Sequence, residues 1–120
     1  MATNIAGQTL AQSIDQGTPG RSFGSDTFDG TAITAADSVV VTVGYKPRYV
    51  RWENATDRIG IEWFEGMAAN TCIKIAANGT RTLETTNGGI TVTNTGFSVL
   101  QNATLAAILA SKVCYWRADV

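Results

Sequence analysis

The chain contains no histidine. That removes the commonest general base, the commonest protein metal ligand and the Ser–His and Cys–His nucleophile pairs. Cysteine is nearly absent. Cys72 and Cys114 are too few for a disulfide framework and too far apart for a metal-ligand spacing, so they read as two reduced, packed thiols. The competing reading, one bridge closing a long loop, needs an oxidising compartment that nothing in the sequence announces. Charge is scarce as well: 16% of residues, with nine Lys and Arg against ten Asp and Glu for a net −1. A typical domain carries roughly 25%. No basic stripe forms, so the electrostatic footprint of a nucleic-acid surface is missing. Long apolar runs are lacking too. The longest, "ATLAAILA", is eight residues and falls far short of a membrane span. "MATNIAGQTLAQS" has neither the basic flank nor the apolar centre of a secretory signal, so the chain is expected to remain, at first, in the compartment where it is made.

What is present is a single domain's worth of chain, 120 residues, with 44% hydrophobic residues and a mean hydropathy of +0.02. Thr, Asn, Gly and Ala replace the missing charge, a composition common in β-rich extracellular and virion proteins. Residues 1–30 stand apart: they are rich in Gly, Ser, Thr, Gln and Asp, and their apolar residues are isolated rather than periodic. Such a segment cannot build its own core and orders only against something else. It reads as an extended N-terminal arm draped over a partner, with Ile5, Leu10, Ile14, Phe23 and Phe28 as spaced apolar contacts, in front of a β-domain covering 31–120.

From residue 31 onward, period-two strands alternate with turn signals. "DSVVVTVGYK" puts Val39, Val41 and Val43 on one face, and Pro47 marks the start of the next strand. In "PRYVRWENATDRIGIEWFEGM", a turn at "NATD" sets Trp52 opposite Ile59 and Val50 opposite Ile61 on an apolar face. The other face then carries Tyr49, Arg51, Glu53, Arg58 and Glu62, with Glu53 opposite Arg58. "CIKIAANGTRTL" suits a three-residue loop with Gly79 in a left-handed conformation, pairing Ile73 with Leu83 and Ile75 with Arg81. "ITVTNTGFSV" pairs Ile90 with Val99 and Val92 with Phe97. "NATLAAILAS" predicts one short helix, about 103–110, capped by Asn102, with Leu105, Ile108 and Leu109 on a shared face. "KVCYWRADV" returns as a last strand. The fold class expected is all-β: an antiparallel β-sandwich or jelly-roll-like body with that one helix and the arm.

Little chemistry fits. Glu62 with Glu65, or Asp57 with Glu53, could form a glycosidase-like carboxylate pair, but Glu53 and Glu62 each have an arginine in reach, and surface pairing is the simpler account. "GTPGRSFG" lacks the Lys-Ser/Thr ending of a phosphate loop, and "DTFDG" falls short of a calcium loop's carboxylate spacing. The sequons at Asn54, Asn78 and Asn102 read as turn and cap chemistry. No enzyme, cofactor or metal is expected. Tyr45, Tyr49, Phe64, Tyr115 and Trp116 could stack on sugar rings, which keeps a weak glycan contact open, although core and interface are the commoner fates of aromatics.

In "GYKPRYVRWENATDRIGIEWFEGM" and "ANGTRTLETTNGGITVTNTGFSVL", and in texture from about Ala32 to the C-terminus, the chain resembles small virion proteins of tailed double-stranded DNA bacteriophages, above all the head decoration or cement proteins. The likeness lies in hairpin texture and turn motifs rather than in a chemical signature. It implies a β-sandwich or jelly-roll body on the outer capsid surface, assembled in the host cytoplasm. Its partners would be the major capsid protein and copies of itself, as dimer or trimer, with no nucleic acid and no membrane. A tail or head-fibre component and a glycan-binding β-sandwich module are the alternatives.

Overall fold

The computed structural model describes the backbone of residues 8–14 and residues 20–120 in full. Among the described residues, ten strands account for the regular structure: β1 Gln8–Ile14, β2 Arg21–Phe28, β3 Ser38–Thr42, β4 Tyr49–Asn54, β5 Ile59–Phe64, β6 Cys72–Ile75, β7 Arg81–Glu84, β8 Ile90–Val92, β9 Gly96–Leu100 and β10 Val113–Asp119. They form two antiparallel sheets. The larger has seven strands in the order β1-β2-β10-β4-β5-β6-β7, and the smaller three in the order β3-β9-β8. The all-β expectation therefore holds.

Alternation builds the core. Along β10, Cys114, Trp116 and Ala118 are buried while Tyr115 and Arg117 face out. Val50, Trp52 and Ile61 from the larger sheet meet Val39, Val41 and Val99 from the smaller one in a single apolar cluster. Phe97 joins the sheets, with ring centroids 6.5 Å from Trp52 and 5.4 Å from Trp116, both edge-on. Such edge-to-face packing adds to area burial. Gly96 opens β9 opposite Thr42 of β3, and a methyl there would overlap the Val41 carbonyl oxygen. Gly96→Ala should lower unfolding stability by about 1–3 kcal/mol, read from urea melts, because backbone rather than a flexible side chain must give way.

Two hairpins form in the expected register. Ile73 pairs Leu83 and Ile75 pairs Arg81, with Gly79 at φ 90°. Ile90 pairs Val99 and Val92 pairs Phe97. The β4–β5 hairpin keeps the expected faces but slides by two residues. Trp52 lies opposite Ile61, Val50 opposite Trp63, Arg51 opposite Glu62 and Glu53 opposite Gly60. The cause is local. Asn54 ends the strand rather than entering the turn, and its side chain accepts the Asp57 N–H at 3.2 Å. Arg58 then takes the left-handed φ of 59° that closes the loop.

The helix expected over about 103–110 is not there; the segment is a run of turns. Asn102 does cap a first turn, accepting the Thr104 N–H at 2.8 Å. Ala106 at φ 61° then breaks it. The carbonyls that a helix would use internally are claimed by the larger sheet: Trp52 Nε1 donates to Ala107 O at 2.9 Å and Asn54 Nδ2 to Ala106 O at 3.1 Å. Leu105 and Ile108 are still buried, so the apolar spacing reports a plug rather than a helix.

Of the segment read as an arm, Arg21–Phe28 is a strand of the larger sheet, hydrogen-bonded between β1 and β10. Its inward positions include Ser22 and Asp26, which is why apolar alternation failed to announce it. Residues 1–7 and 15–19 lie outside the described residues.

Candidate interaction face

The outer face of the larger sheet is built from strict alternation on six strands. Register places its side chains in rows that run across the sheet. One row is Phe23, Arg117, Arg51, Glu62, Ile73 and Leu83; the next is Ser25, Tyr115, Glu53, Gly60, Ile75 and Arg81. Phe64 and Tyr49 stand beside the first row, with ring centroids 5.2 Å apart.

Four of the large hydrophobic side chains that remain exposed belong to this face: Phe23 (41%), Phe64 (43%), Tyr115 (53%) and Leu83 (64%). They are spread along the face rather than contiguous: Phe23 and Leu83 stand at opposite ends of the first row, with charged side chains between them. The charges between them are arranged in detail. Glu62 accepts the Tyr49 hydroxyl at 2.7 Å and lies 3.4 Å from Arg51 and 3.1 Å from Arg81. Burial works to raise its pKa, but the Tyr49 hydroxyl and the two guanidinium groups outweigh it and hold the carboxyl below the usual carboxylate range. Arg51 also reaches Glu53 at 2.8 Å, across the space left by Gly60. The Arg117 guanidinium lies 5.7 Å above the Phe23 ring, and its Nε bonds Asp119 at 2.6 Å. A groove of about 170 Å³ runs between Arg51, Glu53, Tyr115 and Arg117, with Trp116 at its floor.

Tyr49, Arg51, Glu53 and Glu62 thus come together as the sequence suggested. Arg58 does not join them: it sits exposed in the β4–β5 turn, and Glu53 faces Gly60 in its place. Among the apolar residues assigned to the arm, Phe23 lies on this face, whereas Phe28 fills the core at 7% exposure. Ile5 is outside the described residues. Leu10 and Ile14 are placed by backbone register only, opposite Asp26 and Ser22. Tyr115, Arg117, Phe64 and Leu83 were the members that sequence reasoning did not bring together. The alternation in "VCYWRAD" was the available signal for the first two. Trp116 and Tyr45, considered for sugar stacking, are otherwise engaged. Trp116 is in the core, and the Tyr45 hydroxyl donates to Ala118 O at 2.6 Å.

No protein-family model, curated protein or solved structure matches this chain. The two thiols are buried, and burial pushes each up to about 12, well away from the thiolate that nucleophilic or metal chemistry requires. Among the described residues no group of three or more Cys, Asp or Glu side chains could hold a metal ion. A second concavity, about 290 Å³ beside Trp63, Met67 and Val92, has only Lys46 and Glu65 as charged members.

Proposed function

We propose that the chain is a structural protein of a tailed-phage virion. In this reading it is a head decoration, or cement, protein whose sandwich-like body sits on the outer capsid surface and bridges major capsid protein subunits. The observation that carries the reading is a division within the molecule. Both thiols are buried and Glu62 is held between two arginines, while Phe23, Phe64, Tyr115 and Leu83 stand exposed on one sheet face among paired charges. That face supports an assembly role, and the likeness of the sequence from about Ala32 onward to phage decoration proteins supplies the setting.

The physics of a filled head favours such a part. A lattice under internal pressure gains from bonds added around it, and many copies acting together need only modest affinity each. Mixed aromatic and arginine surfaces provide that affinity, since Tyr, Phe and Arg are enriched where proteins meet. Immunogold electron microscopy of virions carrying the tagged chain tests the proposal. Label is expected around the head. Label confined to the tail would move the chain to a tail or fibre role, and unlabelled virions would overturn the reading.

A further inference from the structure

The outer face also carries an indication of what lies against it. Arg51 and Arg117 are direct cross-strand neighbours at the centre of the sheet, an arrangement of like charges that is unfavourable in isolation. Intramolecular acids balance them only in part. Glu53 uses Oε1 for Arg51, and its Oε2 makes no hydrogen bond among the described residues. Arg117 uses Nε for Asp119, and neither of its terminal nitrogens is bonded among them. The exposed Tyr115 hydroxyl is likewise unbonded there. These three groups with spare capacity line the same groove of about 170 Å³.

We propose that this face is where two copies of the chain meet, through a two-fold axis running across the strands between the Arg117–Arg51 row and the Tyr115–Glu53 row. The inference rests on the assembly reading of the face and names its partner. A rotation about that axis lays each row of one copy over the other row of its mate. Tyr115 then covers the mate's Arg117 in a cation–π contact. Glu53 covers the mate's Arg51, offering the free Oε2 to the crowded arginine pair. Ile73 meets the mate's Ile75, and the stem of Arg81 lies along Leu83. Every contact occurs twice, so the groups with spare capacity find their complements without any second protein.

The size is adequate. Six strands about 4.8 Å apart and about six residues at 3.3 Å each give a face of roughly 500 Å², so about 1,000 Å² for the pair, at the lower bound for a specific interface. A reversible dimer is the expected result rather than an obligate one.

Sedimentation of the purified chain over a concentration series up to about 100 µM tests this, with a dimer expected in that range. Glu53→Arg sets a second guanidinium against the mate's Arg51, and Arg51→Glu sets a second carboxylate against the mate's Glu53; each variant alone should be monomeric. Mixed together they should form a heterodimer, because a surface with paired guanidinium groups then faces one with paired carboxylates. Tyr115→Ala, a change at an exposed position, should weaken the dimer at least about tenfold and serves if either charge variant misfolds by circular dichroism. A monomeric wild type, a dimer indifferent to Tyr115→Ala, or a mixture of folded variants that fails to associate would each overturn the inference. Head binding is measured separately. A monomer that decorates heads removes the dimer and leaves the proposed function standing; a dimer that ignores heads does the reverse.

Discussion

Replacing Trp52 with alanine should lower unfolding stability by about 3–5 kcal/mol. The ring has no solvent exposure and stands edge-on to Phe97 at the centre of the core. Truncation removes the transfer energy of the indole and leaves a cavity between two sheets that cannot fully collapse onto it, because both are fixed by their own ladders. A further loss comes from Nε1, which donates to the buried Ala107 carbonyl at 2.9 Å. That carbonyl would retain only the long contact from the Cys114 thiol at 3.5 Å. Trp52→Phe separates the two contributions. It keeps most of the apolar bulk and removes the donor, so a loss of about 1–3 kcal/mol is expected. Urea melts followed by circular dichroism give both values. A Trp52→Ala loss below about 1 kcal/mol would mean that the indole does not fill the core.

The second large effect is on the pH dependence of stability. Asp26 is fully shielded from solvent on the inner side of β2, with Leu10 and Cys114 as its cross-strand neighbours. Burial raises its pKa from 3.8 to about 7. Between those values the folded chain holds a proton that the unfolded chain has released. Stability is therefore fully present below about pH 4 and falls as pH rises toward 7. At 1.36 kcal/mol per unit the ceiling is about 4 kcal/mol, and the effect should be smaller because β2 lies one strand from the sheet edge, where water approaches more readily. Asp26→Asn, which cannot ionise, should abolish that slope and be the more stable protein above about pH 7. Glu62 acts oppositely and in a separate window. Its depressed pKa contributes stability present above the ordinary carboxylate value of 4.5 and lost as pH falls below it. Wild-type stability should thus peak near pH 4, where the two slopes cancel. An unchanged slope in Asp26→Asn would assign the pH dependence to another group.

Much of the local architecture was legible because local rules set it. Gly79 can adopt the left-handed conformation that a three-residue loop demands, so the β6–β7 register followed from the turn. Alternation put Val39, Val41 and Trp52 inside without knowledge of their neighbours. The β4–β5 register was misread because a side chain decided it: Asn54 looks like a turn residue, yet it ends the strand and holds the turn from outside. The missing helix has the same lesson at longer range. Its cap and apolar spacing are real, but Trp52 and Asn54 take the carbonyls of residues more than fifty positions away, and the chain bends to present them.

The sequence by itself determined that the chain is β-rich, that its hairpins turn at Gly79 and near Asn94, and that its own side chains offer no imidazole for catalysis or metal binding. Those properties depend on composition and on residues within a few positions of one another. Only the tertiary structure decided that the last strand inserts between β2 and β4, thereby joining the N-terminal strands to the body. It also brought Phe23 and Tyr115, from the two ends of the chain, onto the surface that Arg51 and Glu62 already shared. Which strand lies beside which is settled by burying two whole apolar faces at once, a cooperative outcome that no short stretch of chain encodes.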